Sequence, residues 1–174
     1  MESPLNRPRL MTPAKTDARE GPGGLEQSGR RSDGPERAER PVVITYLWIA
    51  VGSALGGMAR YACSGLVAGW FGQAFPWGTL IINVLGSFVI GLFATLTGPD
   101  GRILVPGDIR QFVMVGVCGG YTTFSSFSLQ TLSLAQDGQM ARAGLNIAAS
   151  VVLCLVSVWL GYVAAAGLNA VHGS

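Results

Sequence analysis

Past residue 40 the chain has no lysine and no glutamate, and its only histidine is His172. Those 134 residues carry four Arg and three Asp, and none of the Asp falls inside an apolar stretch. An intramembrane hydrolase would need Ser with His or Lys, yet Lys15 and His172 both lie outside the apolar stretches. Proton coupling through a buried carboxylate lacks its carboxylate. Cysteine is equally sparse, because Cys63, Cys118 and Cys154 are an odd set with no metal-type spacing. They read as packing residues. With a net charge of +2 nearly balanced along the chain, nothing argues for a nucleic-acid partner.

What remains is apolar: 49% of residues are hydrophobic, 13% are charged, and mean hydropathy is +0.40. The charges crowd into residues 1–40, which hold eight of the twelve basic and seven of the ten acidic groups among Pro, Gly and Ser. No run there is apolar enough to offset the entropy of ordering, so residues 1–40 are expected to form a disordered tail. Beyond it, four segments reach the roughly 20 residues that a helix needs to cross ~30 Å of hydrocarbon. They are about 42–70, 78–96, 111–135 and 143–168, joined by short turn-forming connections. The expected architecture is an all-α membrane domain over 41–174, with any activity among its helices. Recurrent glycines, such as Gly52 with Gly56 and Gly86 with Gly91, suit close helix approach and a homo-oligomer, most simply a dimer. Flanking arginines are Arg37, Arg40, Arg102 and Arg110 on one side and Arg142 on the other. Without the tail this is a weak bias, compatible with insertion both ways.

Polar residues recur at helical spacing. Thr79, Asn83 and Ser87 share one face of the second span, and Asn146, Ser150 and Cys154 share one of the fourth. Neutral amides and hydroxyls can donate hydrogen bonds, so facing stripes can line an anion path, although single residues of this kind often serve only as interhelical glue. The third span carries Gly119-Gly120-Tyr121-Thr122-Thr123-Phe124-Ser125-Ser126-Phe127-Ser128, where a lipid-facing helix would carry Leu and Val. Its Gly-Gly pair invites a break near mid-span, and backbone groups freed there need protein, ion or water. Carbonyls released over Gly119 to Thr122 would suit a small hard cation. Phe124 and Phe127 share a face, and the positive edge of a phenyl ring can favour a small anion. Arg60 is the one ionisable group well inside a span, a candidate for a positive vestibule or for snorkelling to an interface.

In order along the chain, Gly56-Gly57-Met58-Ala59-Arg60-Tyr61, Gly78 to Phe88 and Gly119 to Ser128 closely resemble the Fluc family of fluoride channels, also called CrcB proteins, over residues 42–168. The resemblance implies an antiparallel, dual-topology homodimer that exports fluoride passively across the cell membrane. It implies pore roles for Asn83, Phe124, Phe127 and Ser150, with Thr79, Ser125 and Ser126 extending a polar track. It also implies a structural sodium ion at the dimer interface, held by backbone carbonyls of Gly119 and Thr122. A heterodimer with a paralogue of opposite orientation is a further possibility that the family permits. Gln130 and Asn146 depart from the family pattern, standing where many relatives have Glu and Tyr. The alternatives weighed are a small four-helix multidrug exporter, which resembles a mechanism needing a first-span Glu that this chain lacks, and a non-conducting assembly protein whose stripes are only glue.

Overall fold

The computed structural model describes residues 42–170. The expected tail, with Arg37 and Arg40, lies outside the described residues, as does His172. Among the described residues four helical segments are long and apolar enough to cross a membrane. They are α1 (Val42–Phe71), α2 (Trp77–Leu96), the third span (Gly107–Gln136) and α6 (Met140–Ala170). Among the described residues all regular structure is helical.

The spans begin and end within a few residues of the expected bounds except at the third. There Pro106, with no N–H to lose, precedes Gly107, and the helix starts four residues earlier than expected. This places Asp108 and Arg110 in its first turn. Asp108 accepts a hydrogen bond from Thr45 Oγ1 at 3.0 Å, tying the beginnings of the first and third spans together.

Packing divides the bundle into two parallel pairs. α1 lies along the first half of the third span, and α2 lies along α6. Each seam is made by glycines whose missing Cβ lets backbones touch. A Cβ at Gly56 would overlap the Val117 carbonyl, and one at Gly52 would stand 2.6 Å from the Phe112 carbonyl. On the other seam, a Cβ at Gly161 would overlap the Phe88 carbonyl and one at Gly91 the Val158 carbonyl. Ser157 Oγ donates to the Val84 carbonyl at 2.7 Å along that seam, so this hydroxyl is interhelical glue. Outward faces are covered with exposed Leu, Val, Trp and Tyr, as a bilayer requires.

The third span is built in pieces. α3 (Gly107–Gln111) leads into a π-helical stretch, Phe112–Cys118, in which the Gly119 N–H still reaches the Met114 carbonyl five residues back. A short α4 (Gly119–Tyr121) follows, and α5 (Phe124–Gln136) completes the span. Between them Thr122 (φ −81°, ψ 157°) and Thr123 (φ −151°, ψ 113°) are extended.

Candidate functional site

The Gly-Gly pair does not itself interrupt the helix, contrary to expectation. Gly119 is helical (φ −64°, ψ −38°), and Gly120 fits against α1, where a Cβ would lie 2.6 Å from the Ser53 carbonyl. The extended residues come later, at Thr122 and Thr123, and side chains account for them. In a continuous helix the Thr123 N–H would donate to the Gly119 carbonyl four residues back. Instead it donates to Asn83 Oδ1 at 2.8 Å, while Asn83 Nδ2 donates to the Thr123 carbonyl at 3.0 Å. One amide from α2 thus satisfies both polar groups of an extended residue, and the Gly119 carbonyl loses its helical donor.

Thr123 also starts the next helix. Its Oγ1 accepts from the Ser126 N–H at 3.2 Å, the N-cap arrangement, and lies within 3.1 Å of Ser126 Oγ and 3.2 Å of Ser125 Oγ. Just upstream, Thr122 Oγ1 donates to the Cys118 carbonyl at 3.0 Å, closing the last turn of the preceding segment. Phe124 and Phe127 follow on one face of α5 with ring centroids 5.2 Å apart. Phe124 is 78% exposed in the single chain.

These elements surround a cavity of about 420 Å³ lined from α2, the third span and α6. Asn83, Gly119, Thr122, Phe124, Phe127 and Ser150 all reach it, so six of the ten residues singled out from the sequence converge. Ser87 and Cys154, the last members of the two polar stripes, line it too, as do Cys118 and Thr123, which were not expected there. Thr123 has a signal in the sequence, since Thr is among the residues favoured at an N-cap just before an α-segment. The lining is mostly apolar, with Ile90, Val151, Leu155 and two phenyl rings, and its polar groups are hydroxyls, an amide and thiols, with no carboxylate. Its neutral hydroxyl and amide groups can donate hydrogen bonds to an anion with no fixed negative charge in the lining.

The other four lie elsewhere. Thr79 is buried in α2 one turn before Asn83 and does not line the cavity. Ser125 and Ser126 are held in the capping cluster around Thr123. Arg60 is half-buried on α1, away from the cavity lining. Of the two departures, Asn146 is 2% exposed and donates to Thr131 Oγ1 at 2.7 Å, and Thr131 Oγ1 in turn donates to the Phe127 carbonyl at 2.7 Å. It buttresses the helix that carries Phe127. Gln130 keeps a buried Oε1 without a hydrogen-bond partner among the described residues. It lines a second, polar cavity of about 590 Å³ at the end of the bundle where Arg142 clasps the first connection.

Residues 47–162 match the family described as CrcB-like protein, Camphor Resistance (CrcB). The chain belongs to the CrcB family. Similar curated proteins carry the name fluoride-specific ion channel FluC. The one from Rhodospirillum rubrum is 67% identical over 126 residues, covering 72% of this chain and 98% of its own length. The one from Opitutus terrae is 64% identical over 129 residues, covering 74% and 98%. A third, from Methylocella silvestris, is 60% identical over 129 residues with the same coverage. With this CrcB family membership, the four spanning helices make the chain a multi-pass membrane protein.

Proposed function

We propose that this CrcB-family chain is a fluoride-specific channel that lets fluoride leave the cytoplasm passively and so protects the cell from fluoride toxicity. The observation that carries the reading is the convergence of Asn83, Phe124, Phe127 and Ser150 on one carboxylate-free cavity, in a chain 67% identical over 126 residues to a protein named for that activity. Fluoride is small and a strong hydrogen-bond acceptor, so amide and hydroxyl donors with ring edges replace its water without adding a titratable charge. The relatives are named as channels, and no chemical reaction is assigned to the chain.

Two chains, antiparallel and inserted with dual topology, form the conducting unit in this reading; a heterodimer with a paralogue is its variant. A cavity of about 420 Å³ is far larger than a single ion, and the exposed Phe124 ring beside it gives a second chain a surface to close against. The third span then acts as two half-helices broken at Thr122 and Thr123. The Gly119 carbonyl, relieved of its helical donor, and the carbonyl of the extended Thr122 fit a hard cation such as sodium. These two carbonyls would hold the ion, whose fixed positive charge would help tie the broken backbones of two chains together. Asn83, Phe124, Phe127 and Ser150 form the fluoride pore, with Thr79, Ser125 and Ser126 supporting it and Arg60 adding positive potential at an entry.

Reconstitution into liposomes with a fluoride electrode tests the proposal. Efflux well above that of empty vesicles, with chloride excluded, is expected. Phe124→Ile should cut that efflux steeply while the protein stays assembled. A folded protein that releases no fluoride, or passes chloride equally well, would sink the reading.

A further inference from the structure

We infer that the backbone of Thr123 acts as a specificity element, fixing the Asn83 amide so that only a hydrogen-bond donor can face the cavity. The inference rests on the channel reading above and deepens it. An Asn side chain has a carbonyl oxygen and an NH2 group that differ little in shape, so an unconstrained amide can turn either end toward a ligand. Turned one way it would welcome an anion; turned the other, a cation or a water hydrogen.

Here both ends are spoken for by one residue. The Thr123 N–H donates to Asn83 Oδ1 at 2.8 Å, and the Thr123 carbonyl accepts from Asn83 Nδ2 at 3.0 Å. Flipping the amide would set N–H against N–H and oxygen against oxygen, losing two hydrogen bonds and adding two repulsions. The oxygen is therefore held on Thr123, and the amide's second N–H is the group left for the cavity that Asn83 lines. This requires Thr123 to be extended, since a helical Thr123 would direct its N–H to Gly119. The interruption of the third span and the polarity of the Asn83 amide are one device. Thr123 Oγ1 reinforces it by capping α5 at Ser126. Thr123 is thus a positioning residue that acts through Asn83.

The test has two arms on the full chain in its assembled, membrane-reconstituted form. Hydrogen–deuterium exchange reads the lock directly. The Thr123 amide should be protected in the parent, and Asn83→Ala should speed its exchange by about fivefold to tenfold. Phe124→Ile, which is expected to lose flux as well, should leave that exchange unchanged. Parent-like protection of Thr123 in Asn83→Ala would overturn the inference. In the second arm Thr123 is replaced by its α-hydroxy acid, which deletes the N–H and keeps the side chain and the Thr123 carbonyl; because the Thr122 carbonyl becomes an ester, the comparison is made on preparations whose dimer content in sodium matches the parent. The replacement should reduce the fluoride-to-chloride preference at least severalfold, whereas Thr123→Ser should keep it. Parent-like preference in the ester variant would refute the specificity role even if the lock exists. If the parent conducts no fluoride, the channel reading fails on its own account, and the exchange arm still decides whether the lock is there.

Discussion

Gly161→Ala adds one carbon to α6 and should weaken the bundle even though alanine is the better helix former. The Cβ would overlap the Phe88 carbonyl, lie 2.8 Å from Leu92 N and 3.2 Å from the Phe88 carbonyl carbon. All three are backbone atoms of α2, so no flexible side chain can give way, and α6 must move off α2 as a body. Overpacking of this kind costs ~1–3 kcal/mol. Replacing a mid-helix glycine gains about 1 kcal/mol of helix propensity in return. The net expectation is a loss approaching about 2 kcal/mol, with the upper part favoured because the seam continues through Gly91 against Val158 and through the Ser157–Val84 hydrogen bond. Gly167→Ala is the internal reference, since a Cβ there meets nothing within 4 Å on its own chain. Equilibrium unfolding in mixed detergent micelles measures both. A Gly161→Ala protein as stable as the parent would show that α2 and α6 do not rely on this contact, and the account of the seam would be wrong.

Thr123→Ala removes the cap of α5 and should cost about 1 kcal/mol of stability by the same unfolding assay, while Thr123→Ser, which keeps the capping oxygen, should leave it close to the parent. Replacing sodium by a large organic cation should weaken assembly or fluoride efflux if the Gly119 and Thr122 carbonyls hold the ion; equal dimer content and efflux in both media would argue against that site. Asn146→Leu deletes the donor to Thr131 Oγ1 and should cost ~0.6 kcal/mol, with fluoride efflux retained, because the amide buttresses α5 and does not reach the cavity. Loss of efflux at unchanged stability would put Asn146 on the ion path instead.

The four spans were legible because length and hydropathy in a bilayer leave little choice. So were Asn83 and Ser150, whose fourfold spacing with neighbours puts them on one face of a helix. The conflict of composition in the third span was legible, but the position of its two extended residues, Thr122 and Thr123, was not. Gly119-Gly120 suggested a break because glycine is a weak helix former, a property that says nothing of what lies across the bundle. Gly120 is small because Ser53 needs the room, and the helix ends only where Asn83 competes for the Thr123 N–H. That competitor sits forty residues away in sequence. The early start of the third span failed for a simpler reason: Asp108 and Arg110 interrupt the hydropathy pattern without interrupting the helix, since a first turn tolerates charge.

The polar residues of the spans divide by what they touch rather than by type. Ser157 and Asn146 are spent on partners between helices, at 2.7 Å each, and so stabilise the bundle. Ser126 and the Thr123 hydroxyl are spent on starting α5. Asn83 does both kinds of work, because an amide has two N–H groups and one oxygen, and the Thr123 backbone uses one of each. A serine or threonine at position 83 has a single hydrogen and could not donate to the Thr123 carbonyl while also leaving a donor for the cavity. An aspartate could accept from the Thr123 N–H but would set a charged oxygen against its carbonyl and offer an anion nothing. The hydrogen-bond arithmetic at this one position therefore favours a primary amide over a hydroxyl or a carboxylate, and it follows from the extended backbone of Thr123 rather than from any bound ion.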